Sequence, residues 1–292
     1  MSCCGKSNKK PKKPSKFKHY KPKTLTAQSI ALKTFLLCRP NFFGINYSIN
    51  PWMNINNKSD QNKAIEQWDN LKDRIEEYSG AISFIKPQID LPDMVFTANG
   101  GLLIKEQNLF IVSNFKFEER KRETFWFHQF FKDRGLNVYI PINDFEGAGD
   151  ALYLGGNLIC AHGFRTDESF YNELRNLNID FSEVKLIDPR FYHLDTCFCP
   201  LSDNDYLIFP DAFDQNSLDK IRSFGFNEIQ VNENEAIKFA CNSVAIGKTI
   251  LMPNNCNDTA EKLRKLGYNV VFLEMSEFLK SGGAVKCLTL EI

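Results

Sequence analysis

Short apolar runs come in pairs along this chain, each pair split by a tight polar turn and preceded by a polar residue or a glycine. The copies are NGGLLIKEQNLFIVSNF from Asn99, GDALYLGGNLICAHGF from Gly149, DTCFCPLSDNDYLIFPDAF from Asp195 and NSVAIGKTILMPNN from Asn242, with starts 50, 46 and 47 residues apart. Two apolar runs around a turn predict a hairpin. GGAVKCLTLEI gives a further start near Gly283, 41 residues on, but the sequence ends before its second strand. TFLLCRP near residue 35 is the run that can supply the missing partner.

Helix-period segments follow the hairpins: ERKRETFWFHQFFKDRG, DESFYNELRNL, SLDKIRSFG and DTAEKLRKLG, with DQNKAIEQWDNLKDRIEEYSG after the first strand. Single short strands come next, LNVYIPI, VKLIDP, EIQV and NVVFLEM, each before another hairpin. Five near-equal units, the last closing on the first, predict an α/β fold of radial repeats. The competing reading is an ordinary α/β domain whose elements recur at ordinary lengths. In a ring the hairpin starts converge on the axis, which brings Asn99, Glu146 with Asp150, His193 with Asp195, Asn242 and Cys287 around one pocket.

Charge divides the chain in two. Lys+Arg and Asp+Glu both number 36, yet residues 1–24 hold nine Lys and no acid. The remainder, residues 25–292, therefore stands at −9 and reads as a single catalytic domain behind a disordered Lys-rich tail. A neutral sum over an acidic body argues against a nucleic-acid partner. Membrane association through Cys3, Cys4 and the tail lysines is the alternative to a solvated appendage, but Ser2 breaks the myristoylation pattern and the appendage is preferred. No apolar run approaches the length of a membrane span. The sequence carries no signal of oligomeric state.

Nine cysteines in a chain this long do not suggest a disulfide framework. Cys38, Cys160, Cys197, Cys199 and Cys241 sit in apolar, strand-like runs, which fits small buried hydrophobes and a reducing cytoplasm. Cys197 and Cys199 lack the spacing and second pair of a zinc site, so no metal is expected. Nothing resembles a phosphate loop, so no cofactor is expected either.

Only four histidines exist. His19 falls in the tail, His128 lies on an aromatic helix where packing explains it, and His162 ends an apolar run. His193, two residues before Asp195 at the mouth of a strand, is the candidate acid and base. Cys287 follows a Gly-Gly turn that lets backbone approach a ligand; beside a histidine it is an activated nucleophile, and alone it is a buried structural cysteine. Glu146 in FEGAGD can orient an imidazole and hold a cation. Asp93, Glu146 and Asp195 around one pocket suit a planar guanidinium, leaving Arg165 free for a substrate carboxylate.

Taken in order, FLLCRPNFFGINYSINPWM, QWDNLK, PDMVFTANGG, FEGAGDALY, GFRTD, YHLDTCFCPL and GGAVKCLTLEI resemble the guanidine-modifying superfamily of arginine deiminases, dimethylarginine dimethylaminohydrolases and amidinotransferases. The match is closer still to the bacterial arginine dihydrolase branch. The resemblance covers roughly residues 33–292. It implies a five-bladed α/β propeller (pentein) of ββαβ repeats and a cysteine-dependent hydrolase of a small guanidinium substrate. It further implies Cys287 as nucleophile, His193 as acid and base, Glu146 as its acidic partner, Asp195 and Asp93 as substrate-binding acids, and Arg165 as the carboxylate clamp. Asn99 stands where deiminases and dimethylaminohydrolases carry an aspartate; with Asn50 in INPWM it matches the dihydrolase branch. The implied reaction is arginine to ornithine, carbon dioxide and ammonia. Single-step deimination, dimethylarginine hydrolysis and amidino transfer are alternatives, and a guanidine- or partner-binding module is the non-enzyme alternative.

Overall fold

The computed structural model describes residues 33–78 and 80–292. The Lys-rich tail, with Cys3, Cys4 and His19, and the first eight residues assigned to the domain lie outside the described residues.

Among the described residues, every strand belongs to one of five three-stranded sheets. The first joins β1 (Thr34–Cys38) and β2 (Ala81–Ile85) to the last strand, β15 (Leu290–Glu291). The second holds β3 (Gly101–Ile104), β4 (Leu109–Val112) and β5 (Asn137–Tyr139); the third holds β6 (Ala151–Leu154), β7 (Asn157–His162) and β8 (Ser182–Lys185). The fourth holds β9 (Phe198–Pro200), β10 (Asp205–Ile208) and β11 (Asn227–Gln230), and the fifth β12 (Val244–Ile246), β13 (Thr249–Pro253) and β14 (Asn269–Leu273). In each sheet the middle strand runs antiparallel to its hairpin mate and parallel to the third strand. The first sheet obeys the same rule across the chain ends: β15 pairs antiparallel with β1, Leu36 opposite Leu290. TFLLC therefore supplies the partner that the C-terminal run lacks in sequence.

Burial follows from these positions. Middle strands such as LFIV and TILMP are buried throughout, because a strand flanked on both edges and covered on both faces needs apolar side chains at every position. Third strands such as NVY and NEIQ are edge strands and stay partly exposed. The parallel step between second and third strand requires a crossover, supplied by the helices Gln61–Glu77, Glu123–Lys132, Phe170–Asn176, Gln215–Arg222 and Asn257–Lys265. Gln61–Glu77 buries Ala64, Trp68, Leu71 and Ile75, a single stripe at helical spacing, and Asp60 caps its start by accepting from Lys63 N at 3.0 Å. ERKRETFWFHQFFKDRG forms two pieces, Glu118–Lys121 and Glu123–Lys132, rather than one helix. No helix among the described residues is long and apolar enough to cross a membrane.

Candidate active site

Turns that lead into the first strand of each hairpin meet one another. Ala98 N donates to Cys287 O at 3.1 Å; Leu194 N donates to Asp150 Oδ1 at 3.1 Å; Asn242 Nδ2 donates to Asp195 O at 2.9 Å and to Cys287 Sγ at 3.1 Å. Two glycines permit the closest approaches. Gly147 sits at φ +62°, and a Cβ there would meet Gly101 N at 2.6 Å and Ala98 O at 2.9 Å. A Cβ on Gly149 would collide with Asn99 Nδ2 and lie 3.3 Å from His193 Cγ. Asn99, Asp150, Asp195, Asn242 and Cys287 are thus brought together, and each is almost wholly buried.

Cys287 lies in the turn before β15, not within a strand. Its Sγ is 3.3 Å from Asp195 Oδ2 and 3.6 Å from Oδ1, so the thiol donates to a carboxylate. Burial and then Asp195 push this thiol well above its ordinary range. Burial also raises the Asp195 carboxyl, to about 6, against the pull of Lys286, Cys287 and Asn242. The hydrogen-bond partners of the sulfur are Asp195 and Asn242.

His193 is held from its other side. Its Nε2 lies 2.7 Å from Glu146 Oε2. Glu146 also accepts from Arg165 Nη1 at 3.2 and 2.9 Å through its two oxygens. Burial opposes ionisation of Glu146, but Arg165 and then His193 outweigh it and hold the carboxyl well below the usual carboxylate range. Arg165 Nη2 donates to Ile49 O at 2.9 Å, and its guanidinium packs 4.7 Å from the ring centres of Phe117 and Tyr192. Arg165 is therefore not free in this structure, because the Glu146 carboxylate already binds it.

A second buried cation completes the wall. Arg120 forks onto Glu123, Nε to Oε1 2.9 Å and Nη2 to Oε2 2.8 Å, donates from Nη2 to Asp93 O at 3.1 Å, and from Nη1 to Asn99 Oδ1 at 2.9 Å. Arginine only donates, so Asn99 must turn its oxygen to Arg120 and its amide nitrogen to His193 Nδ1, 3.5 Å away. With Nδ2 facing Nδ1, His193 donates from Nε2 to Glu146. Nδ1 is then the nitrogen left for exchange with a reacting group.

The enclosed cavity at this place offers about 10 Å³, room for roughly one water molecule. Asn50, Asp93, Asn99, Arg165 and Cys287 border it, whereas His193, Glu146 and Asp195 do not. Asp93 Oδ1 and Ser281 Oγ are buried without a partner. Tyr47 binds only the other Asp93 oxygen, at 3.0 Å, and burial raises the Asp93 carboxyl against the pull of Arg120. A buried carboxylate oxygen without a partner is a ready acceptor for a substrate N–H. Asn50 Nδ2 donates to Ser281 O at 3.0 Å and to Tyr192 Oη at 3.3 Å, which ties the INPWM segment over the cavity. Among the described residues no group of three or more His, Cys, Asp or Glu is placed to hold a metal ion.

A family model described as N,N dimethylarginine dimethylhydrolase, eukaryotic, matches residues 39–292. The chain belongs to that family. Within and around the N,N dimethylarginine dimethylhydrolase family, the sequence is 41% identical over 265 residues to the bifunctional arginine dihydrolase/ornithine cyclodeaminase ArgZ of Synechocystis sp.. That match takes in 88% of this chain and 37% of the length of ArgZ. It is 33% identical over 261 residues to the N(G),N(G)-dimethylarginine dimethylaminohydrolase of Mycobacterium tuberculosis, covering 89% of this chain and 86% of that protein. The crystal structure of the ArgZ N-terminal domain bound to product, an arginine dihydrolase from the ornithine-ammonia cycle in cyanobacteria, superposes with a TM-score of 0.84 at 39% identity, over 89% of this chain and 97% of that one. The same domain is known as a cysteine-to-serine variant bound to substrate.

Hairpin periodicity finds most of this site. Arg120 and Glu123 escape it, because ERKRE reads as a solvated helical turn. Asn242 is placed at the pocket by its position but has no chemistry assigned to it, and Ser281 gives no signal at all.

Proposed function

We propose that this chain is a cysteine-dependent hydrolase of the guanidinium group of arginine, acting as an arginine dihydrolase. The contact between the Cys287 thiol and the Asp195 carboxylate, at a cavity bordered by Cys287 and by Asp93 with its unpartnered oxygen, carries this reading. A guanidinium that settles beside Asp195 compensates its charge, so the thiol can part with its proton where the attacked carbon lies. The thiol proton passes to His193 Nδ1 as sulfur adds to the guanidinium carbon; the C–N bond breaks, and the departing amine takes that proton from Nδ1. Water, deprotonated by the same nitrogen, adds to the thiouronium carbon and expels the thiolate. Citrulline and one ammonia result.

A second attack on the neutral ureido carbon before release gives ornithine, carbon dioxide and another ammonia. Asn99 supports this extension: a carboxylate there would favour a cation, whereas an amide accommodates the uncharged intermediate. Asp93 is the acceptor for a substrate N–H. Arg165 must shift from Glu146 to meet a substrate carboxylate. The fold is read as a five-bladed α/β propeller in one domain of residues 25–292, and the seven free buried cysteines among the described residues support a reducing, cytoplasmic setting.

Dimethylarginine hydrolysis is the second reading, favoured by the family model and by the 33% identical relative. Turnover with arginine and with dimethylarginine, assayed together for ammonia, citrulline, ornithine and dimethylamine, separates them. Ornithine with two equivalents of ammonia from arginine is expected; dimethylamine formation alone, or no turnover of either compound, overturns the proposal.

A further inference from the structure

Asn242 is fully buried and every hydrogen-bonding atom of its side chain is engaged around the nucleophile. Its Oδ1 accepts from Ala284 N at 3.0 Å and from Cys287 N at 3.1 Å, while its backbone oxygen accepts from Lys286 N at 3.2 Å. Both donors to Oδ1 are backbone N–H groups, which cannot accept. The amide orientation is therefore fixed, and the group that faces Cys287 Sγ at 3.1 Å must be the NH2.

That contact has a sign. A thiol hydrogen already points at Asp195, and an N–H aimed at sulfur gains most when the sulfur is an anion. Asp195 favours the protonated form of Cys287 and Asn242 favours the thiolate. Lys286 acts on Asp195, and Tyr192, buried nearby, bears on the same sulfur.

We propose that Asn242 is a positioning residue for catalysis: it fixes the Cys287 turn and presents the N–H donor that stabilises the sulfur once its proton has left. The proposal rests on the reading of Cys287 as nucleophile. It assigns to the turn before β12 a part in the chemistry that the charged residues around the cavity do not fill. Without it, a buried thiolate beside a carboxylate keeps only the Ala284 backbone N–H as a neutral donor in place of lost water.

Asn242→Asp keeps the shape and the two backbone acceptances but turns the donor into an acceptor; Asn242→Ala removes it without adding charge. Rates of iodoacetamide capture, read across pH by mass spectrometry of the Cys287 peptide, report the thiolate without any substrate. Asn242→Asp is expected to move the alkylation midpoint up by about one pH unit or more, a tenfold loss of thiolate below it. Asn242→Ala is expected to move it less, in the same direction, and both to lower kcat about tenfold or more with KM little changed. Folded variants with the wild-type alkylation profile overturn the proposal. Where circular dichroism shows a lost fold, the side-chain 15N amide signal of Asn242 in the unmodified protein is followed instead. It shifts as Cys287 ionises if the N–H faces sulfur, and its constancy through that titration also overturns the proposal. Failure here leaves the nucleophile intact, whereas an active Cys287→Ser enzyme removes the reading beneath it.

Discussion

Asp195 and Cys287, 92 positions apart in the chain, are in contact in the fold, with Sγ 3.3 Å from Oδ2. The thiol hydrogen bond favours the Asp195 carboxylate, but burial outweighs it. Each is buried, and each is pushed towards its protonated form, Asp195 to about 6. A pocket that holds a carboxylate and a thiol in this state is completed by a cation, and that incompleteness leads to the first prediction.

Asp195→Asn should abolish turnover and stabilise the protein at neutral pH. Burial pushes the folded carboxyl up to about 6 from the ordinary 3.8 of the unfolded one, so between those values the folded state retains a proton that the unfolded state has lost. Stability from this group is thus present at acid pH and falls as pH rises through the window, with the full penalty above it. The variant lacks this slope. Urea unfolding at pH 7.5 should find it about 1–3 kcal/mol more stable than wild type, with the difference shrinking towards pH 4; a less stable variant at pH 7.5 contradicts the account.

Asn99→Asp tests what the amide does between Arg120 and His193. Aspartate can still accept from Arg120, but it presents an acceptor to His193 Nδ1 and a negative charge to the cavity. Ornithine formed per citrulline should drop about tenfold or more, measured by amino-acid analysis of the arginine reaction. An unchanged ratio removes the link between Asn99 and the second round.

Gly149→Ala aims at the same pair by steric means. The new Cβ collides with the Asn99 amide and crowds the His193 ring. A loss of kcat of about tenfold or more is expected, with a stability change on the order of 1–3 kcal/mol. Full activity in the folded variant implies that the His193 environment tolerates displacement, contrary to the tight turn contacts described above.

Arg120→Met should destabilise the fold severely. It leaves Glu123, fully buried and already raised to about 7, without its counter-ion, and leaves Asn99 Oδ1 without its donor. Removing one partner of such a pair costs about 3–5 kcal/mol. The double change Arg120→Met with Glu123→Leu should recover a substantial part, seen as a partial return of Tm; a double variant no more stable than the single one contradicts the pairing.

Much of this architecture is legible in the sequence because the repeat is enforced by hairpin chemistry. Paired apolar runs locate β3 to β14, and the unpaired C-terminal run correctly demands TFLLC as partner. The polar residue before each hairpin, Asn99, Asp150, Asp195 and Asn242, also follows from that pattern. What the pattern hides is pairing across turns. Nothing in the order of residues says that Arg165 rests on Glu146, because both are charged loop residues that read as independent. Arg120 and Glu123, three apart on a charged segment, look solvated until Phe115, 4.4 Å from the Arg120 guanidinium, and the Asn99 turn bury them. Nor does the order of residues say that the Cys287 thiol meets Asp195 and Asn242, which the turn geometry puts there.

Whether Cys287 itself carries the substrate's carbon is decided most directly by trapping it. Acid quenching of the enzyme during steady-state turnover of arginine, followed by peptide mass spectrometry, should find the Cys287 peptide heavier by the amidino-derived portion of the substrate, and Cys287→Ser should show neither adduct nor turnover. Steady turnover with an unmodified Cys287, sustained in the serine variant, contradicts the mechanism.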